Sequence, residues 1–298
     1  MSIVSSRPLS SHLGAEILGV DLHEQLSPQQ AEEIRTLFYR HRLLLFADQL
    51  FSAEDQIRFM TIIGNVIAED SDGRFTWVTN KATAQEAYVG GAEKLAWHAD
   101  FSFTPQGPLH ALSLYATQLE IPEPTTYANM VRAAANLPAE LRSRLEPLRV
   151  VQLLDFSKEA SSARRNRLSA LRDTPPEQYS FSEHRLIERH PVTGEEYLTV
   201  SDFMSSHICG WSDAASDELF GELGAIAYAD DNTHRREWQL HDFVVWDNVA
   251  LQHSREAFAM TAPRVLRRVA VNPVDVPTLL TSVRPDPVAH AGQWHKTE

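Results

Sequence analysis

A chain of 298 residues, 43% hydrophobic and 22% charged, can bury a sizeable core as one large domain or two small ones. Its formal net charge of −13 argues against a broad nucleic-acid or anionic-membrane surface, because such surfaces need clustered Lys and Arg. The single cysteine, Cys209, excludes an intrachain disulfide and fits a reducing compartment, so a cytoplasmic protein is expected, with Cys209 itself a small core thiol.

In chain order, residues 1–11 lack the apolar core of a secretory leader, and no later stretch approaches a membrane span. Residues 15–22 alternate like a strand. Ser27-Pro28-Gln29-Gln30 reads as a helix start, with Ser27 as N-cap, Pro28 in the first turn and Gln30 completing a capping box. That helix is expected to reach about His41 and to bury Ile34, Leu37 and Phe38. Residues 42–46 form a short apolar strand. Ser52-Ala53-Glu54-Asp55 opens a second helix, carrying Ile57, Met60 and Ile63 and stopping near Gly64.

Beyond it the pattern changes. Short β-like runs recur at 75–78, 96–103, 109–116, 125–130, 149–156, 197–200, 243–246 and 265–271, interrupted by helices at 138–145 and about 214–227. Many short strands separated by turns favour a β-sandwich or jelly roll over a parallel βαβ sheet. No Gly-rich phosphate loop is present, which argues against nucleotide chemistry. Residues 157–184 contain Pro175-Pro176, are rich in Ser, Arg and Glu, and offer little apolar periodicity. They read as a lid-like insertion in a single domain spanning 1–298. Their basic run, Arg164-Arg165-Asn166-Arg167, reads as a solvated loop.

Among the 13 histidines, His98 alone has an acid two residues on, Asp100. On a strand, two such residues face one side and can share an ion. A third ligand can come from His253, which follows the strand and turn Asp242-Phe243-Val244-Val245-Trp246-Asp247-Asn248. Two histidines and one carboxylate suit non-haem Fe(II), and zinc fits the same set. In the strand-like run 264–271, Arg264 and Arg268 share a face while Arg267 points the other way. An inward arginine needs an anion, and a dicarboxylate would supply one. Surface exposure suits Arg267 better than the other two.

Taken together, Trp97-His98-Ala99-Asp100, Val245-Trp246-Asp247-Asn248, Gln252-His253 and Pro263-Arg264 through Arg268 resemble the taurine dioxygenase (TauD/TfdA) family. Leu13-Gly14-Ala15-Glu16-Ile17, with Gly19-Val20-Asp21-Leu22, is similar to that family's opening strand, and Arg189-His190-Pro191-Val192-Thr193-Gly194 to its late loop. The resemblance covers nearly the whole chain, in order. It implies a mainly β protein with flanking helices, a double-stranded β-helix (jelly roll, cupin-like). It implies His98, Asp100 and His253 as Fe(II) ligands, with 2-oxoglutarate as cosubstrate and O2 as oxidant. Thr125 and Arg264 match the pair that holds the distal carboxylate of 2-oxoglutarate, with Thr126 the adjacent alternative. Arg268 matches a second arginine near the metal, the cosubstrate's other end and the primary substrate.

The implied reaction oxidises a C–H bond of a small-molecule substrate, by hydroxylation as the default outcome, with release of succinate and CO2. Desaturation or other oxidative tailoring would use the same residues, and family members commonly self-associate. The sequence departs from the taurine-specific pattern at Glu69, which stands where those members place a sulfonate-gripping histidine. A carboxylate there repels a sulfonate, so taurine is not expected as substrate; Glu69 facing a substrate amine or hydroxyl, or facing solvent, are the two readings. Phe156 and Phe203 line up with apolar residues of the family's substrate pocket. A zinc hydrolase and a non-catalytic binding or sensor protein are the readings from other classes. The first would need a general base and no paired arginines; the second would tolerate the loss of ligands, and none is lost.

Overall fold

The computed structural model describes residues 4–69, 73–80, 87–88, 93–120, 122–157, 163, 165–258 and 263–282. Two sheets carry the architecture. The larger has eight strands in the order Ser5–Pro8, Ala15–Leu18, Leu43–Phe46, Phe243–Asp247, Ala111–Leu119, Arg264–Val271, Thr76–Thr79 and Ala87–Tyr88. The smaller has four, in the order Thr233–Arg236, Thr125–Asn129, Leu251–Arg255 and Leu95–His98. Pairing is antiparallel apart from the Ala15–Leu18/Leu43–Phe46 and Thr76–Thr79/Ala87–Tyr88 ladders. The chain is mostly sheet with a few helices.

The period of two distributes the core. Along Phe243–Asp247, Val244 and Trp246 join Leu112, Leu114, Leu266, Tyr127 and Leu251 between the two sheets. Their alternates Phe243 and Val245 face the opposite way, onto Ile34, Phe38, Phe59 and Met60 of the helices Pro28–His41 and Ala53–Met60. On the far side of the small sheet, helices Met130–Ala135, Ala139–Leu145 and Asp213–Ala227 bury Leu141, Phe220 and Leu223 around Ala128. The result is helix, sheet, sheet, helix, with the inter-sheet space open at one end.

Local chemistry sets the first two helices where it was expected. Ser27 Oγ accepts from the Gln30 N–H while the Gln30 side chain accepts from the Ser27 N–H, closing the capping box. Ser52 and Asp55 repeat the arrangement. The second helix ends at Met60, short of the expected stop near Gly64; turns carry the chain on to Gly64, where a Cβ would lie 2.7 Å from Val271, so a side chain there would push this segment off the sheet.

Four further expectations need correction. The strand expected over 96–103 ends at His98; Ser102 and Thr104 donate back to the carbonyls of Ala99 and Phe101, and Phe101 adopts φ 65°. The lid-like insertion expected over 157–184 is shorter, since Tyr179–Arg185 pairs residue for residue with Arg149–Asp155 in a three-stranded sheet completed by Ser205–Ile208. That strand hides a polar face: Ser182 Oγ donates to the Phe103 carbonyl at 2.9 Å and His184 Nε2 lies 2.9 Å from the Thr104 carbonyl. A buried row of Ser and His gives no apolar period to read. Residues 158–162 and Arg164 of the expected insertion and basic run lie outside the described residues. Arg165 and Arg167 are not a solvated run; they donate to the carbonyls of Ser201, Ser205 and Ser206 and pair with Asp202 and Asp217. Arg267 is buried rather than exposed, donating to Gln56 and to the Ser52 carbonyl with its guanidinium over the Tyr115 ring.

Candidate active site

Cross-strand register builds the centre. His98 and His253 are directly opposed in the ladder between Leu95–His98 and Leu251–Arg255, and their ring centroids lie 4.2 Å apart. The strand ends at His98, so Asp100 arrives from the turn beyond it rather than from the same strand face. Asn248 fixes that turn: its Oδ1 accepts the Asp100 N–H at 3.1 Å, and its Nδ2 donates to the carbonyls of Asp100 and Leu109 at 3.1 and 2.9 Å. Asp247, just before it, accepts the N–H groups of Val249 and Ala250 and pairs with buried His190, so the turn leading to the His253 strand is itself braced.

The ligand atoms converge. Asp100 Oδ1 lies 3.1 Å from His98 Nε2 and 3.8 Å from His253 Nε2, and one atom from each of the three residues falls within 4.8 Å of the others. Adjacent ligands on an octahedral ion with bonds of about 2.1 Å sit about 3 Å apart, so the three are spaced as one face of such a site would require. Protonation suits that role. His98 Nδ1 lies 2.9 Å from the Ala96 carbonyl, which can only accept, so this contact orients the ring with Nε2 toward Asp100. Burial, with His98 alongside, pushes His253 down to about 3, so it is a neutral imidazole at physiological pH. Burial also works to raise the Asp100 carboxyl, but the Arg268 guanidinium beside it outweighs burial and is the main cause holding the group well below the usual range.

The second oxygen of Asp100 is taken by Arg268 Nη1, and Arg268 Nε is held by both oxygens of Glu69 at 2.7 and 3.1 Å. Glu69 is buried and lies behind the cavity wall, so it faces neither a substrate amine nor solvent; the physical reason is its pairing with Arg268. A cavity of about 580 Å³ opens in front of the centre. It is lined by His98, Asp100 and His253 and by Thr125, Arg264, Arg268, Phe156 and Phe203, that is, every expected site residue except Glu69. Thr125 faces the cavity, its hydroxyl accepting from Trp238 Nε1 at 3.0 Å, whereas half-buried Thr126 lies on the other face of its strand.

Arg264 is the informative side chain. It is only 4% exposed, and among the described residues its guanidinium has no carboxylate partner, with Nε lacking any hydrogen-bond acceptor. Burial, with Arg255 nearby, lowers it to about 10, which still leaves it charged. A buried cation of this kind fits a bound carboxylate. The donor set therefore accommodates both a divalent ion and a dicarboxylate beside it.

Sequence reasoning assigned no role to Asn248, Arg255, Phe101, Phe103, Met204 or Leu280, all of which the structure places at the centre or in its wall. Arg255 stands two residues after His253, so the strand period could have found it. Phe101 follows Asp100 directly, but nothing local announces its left-handed turn, which costs about 1–2 kcal/mol for an L-residue. Cys209 is only half-buried, and burial together with Glu183 raises it to about 11, leaving an inert thiol.

Comparison with known proteins extends these observations over the whole chain. The model of the taurine catabolism dioxygenase TauD, TfdA family matches residues 5–270. An alpha-ketoglutarate-dependent sulfate ester dioxygenase from Pseudomonas putida is 28% identical over 272 residues, covering 89% of this chain and 88% of its own. Pentalenolactone F synthase from Streptomyces avermitilis is 27% identical, covering 87% and 90%. The 2,4-dichlorophenoxyacetate dioxygenase of Cupriavidus pinatubonensis is also 27% identical, covering 90% and 97%. Among solved structures, a taurine dioxygenase from Burkholderia xenovorans superposes with a TM-score of 0.71 at 26% identity, covering 90% of each chain. With a family match spanning both sheets, the His-Asp-His cluster and the alpha-ketoglutarate dependence named for the Pseudomonas putida and Cupriavidus pinatubonensis relatives, the chain belongs to the TauD/TfdA family and is a non-haem iron, 2-oxoglutarate-dependent dioxygenase.

Proposed function

We propose that His98, Asp100 and His253 hold Fe(II), that Thr125 and Arg264 hold the distal carboxylate of 2-oxoglutarate, and that the enzyme hydroxylates a C–H bond of a small, largely apolar molecule. When bound, the metal and cosubstrate supply O2 activation coupled to decarboxylation, releasing succinate and CO2. The chain's own residues orient and exclude. Arg268 fixes the Asp100 carboxylate with one oxygen toward the histidines, Asn248 fixes the backbone beneath it, and Phe101, Phe103, Phe203 and Met204 keep water from the reacting carbon.

One observation carries the reading: a buried arginine with no counter-ion among the described residues shares a cavity with a His-Asp-His cluster that could hold a metal ion. A hydrolytic use of the triad lacks support, because Asp100 is the sole carboxylate among the described residues of the lining and is itself a ligand. The two facing sheets fit a double-stranded β-helix. The pairing of Glu69 with Arg268 argues against taurine, since it leaves no free cation there for a sulfonate. The relatives' sulfate esters, phenoxy acids and pentalenolactone chemistry frame the size of substrate to test. We place the protein in the cytoplasm as a single domain, acting on a small molecule, with no nucleic-acid or membrane partner and with self-association open to direct measurement.

The test is anaerobic. Fe(II) and 2-oxoglutarate are titrated into the protein by calorimetry, then O2 is admitted with a panel of amines, carboxylic acids, esters, phenols and terpenoids while succinate is measured. Metal-dependent 2-oxoglutarate binding that disappears in His98→Ala is expected, with succinate formation stimulated by at least one panel member. Absence of metal-dependent 2-oxoglutarate binding overturns the proposal.

A further inference from the structure

Arg268 stands between two carboxylates. Glu69 grips its Nε with both oxygens, and Asp100 meets its Nη1. The pairing is built into the fold rather than made by a passing side chain. The segment before Glu69 is sewn to the end of the arginine strand and the turn after it, with Val66 bridged to Val271, the Ile67 N–H on the Ala270 carbonyl at 3.2 Å and the Ala68 N–H on Asp275 at 3.1 Å. The Glu69 side chain has no solvent exposure. Of the other cavity cations, Arg264 is the one left for the cosubstrate. Arg255 lies over the Phe258 ring at 4.5 Å, donates to the Glu256 carbonyl and sits in the field of Glu123.

The formal charges then settle the matter of what else can enter. With Arg255 set against Glu123, a divalent metal and a dicarboxylate cancel, Arg264 offsets Glu69, and Arg268 offsets Asp100. With Glu69 present the loaded centre is neutral; without it one positive charge would remain, directed at the substrate. Much of the wall is hydrocarbon, from Phe101, Phe103, Phe203, Met204 and Leu154. An anion brought against such a wall without a counter-ion loses its hydration and gains no partner.

We propose that Glu69 is a specificity-determining residue, which neutralises Arg268 from behind the wall and thereby selects substrates that carry no negative charge at their metal-facing end. This rests on the functional reading above and deepens it: the substrate is a neutral, apolar or aromatic molecule rather than a sulfate, sulfonate or carboxylate.

The test uses binding rather than turnover. Wild-type protein and Glu69→Gln are loaded with Mn(II) and N-oxalylglycine, then titrated with 2-naphthol and 2-naphthyl sulfate, one ring system with a neutral and an anionic end, following fluorescence. Wild type is expected to bind 2-naphthol about tenfold more tightly than the sulfate, and Glu69→Gln to bind the sulfate about tenfold more tightly than wild type does, with 2-naphthol changed less than about twofold. Should the variant fail to fold, the wild-type ratio decides alone. Equal or tighter binding of the sulfate by wild type, an unchanged ratio in a folded variant, or no binding of either probe overturns the inference. Failure of metal-dependent N-oxalylglycine loading removes the oxygenase reading and this inference with it, whereas a loaded protein that fails the probe comparison removes this inference alone.

Discussion

The two halves of the cavity are built differently. The inner half is held by opposed strands and shared charges: His98 faces His253 across a ladder, Asn248 clasps the Asp100 backbone, and Glu69, Arg268 and Asp100 form one chain of ion pairs. The outer half consists of hydrocarbon delivered from turns and ends, with Phe101 and Phe103 in the loop after Leu95–His98, Phe156 just past a strand and 45% exposed, and Leu280 on the helix Val276–Ser282. Misplacing a ligand by an ångström removes the chemistry, so the inner half needs order. Exchanging one phenyl ring for another changes only which molecule fits. The difference predicts that inner substitutions should abolish activity, whereas outer ones should redirect it.

The largest effect is expected at Arg264, the buried inner cation that has no carboxylate partner among the described residues. Arg264→Met should weaken 2-oxoglutarate binding by about a hundredfold, the loss of charge-assisted hydrogen bonds to a buried carboxylate, about 3 kcal/mol. Metal affinity should stay within about threefold. Calorimetric titration of each component separates the two. Equal losses of metal and cosubstrate affinity would mean that the inner half is one indivisible unit and that Arg264 serves structure.

A smaller effect is expected one layer back. Asn248 touches no ligand atom, yet it holds the Asp100 turn through both of its amide groups. Asn248→Ala should lower metal affinity by about tenfold to a hundredfold, as loss of a supporting hydrogen-bond partner commonly does. Asn248→Asp, which keeps the acceptor for the Asp100 N–H, should recover part of it. Unchanged metal binding in the alanine variant would show that His98 and His253 organise the turn unaided.

The same contrast explains what could be read from the sequence. Residues announced themselves where the signal was local: a His-x-Asp pair and arginines spaced along one strand at the centre, and capping boxes satisfied within four residues on the outer helices. Where a function depends on partners far apart, nothing local marks it. Glu69 meets Arg268 across 199 positions and Asp100 meets Asn248 across 148, so Glu69 was read as facing substrate or solvent when it faces an arginine. The strand Tyr179–Arg185 escaped for a related reason, since its buried face is Ser and His satisfied by the carbonyls of another loop. Phe156 and Phe203 could be placed in the wall only through resemblance, because apolar side chains look alike whether they face a core or a cavity.

The smallest effect tests the outer half where it is least supported. Phe156 sits at the mouth, its ring edge-on to Phe103 with centroids 5.9 Å apart, and it is already half in solvent. Phe156→Ala therefore removes little buried area, and the folded state should lose less than about 1 kcal/mol, against the 3–5 kcal/mol typical of a phenylalanine deleted from a packed core. Metal and 2-oxoglutarate affinity should not change, because no inner residue leans on this ring. Apolar probe affinity should fall by a few fold, as expected for one edge contact and part of a hydrophobic surface. The opposite outcome would be instructive. If Phe156→Ala lowered 2-oxoglutarate affinity as much as probe affinity, the ring would be closing the cavity over both, and the mouth would belong with the ordered half rather than with the exchangeable one.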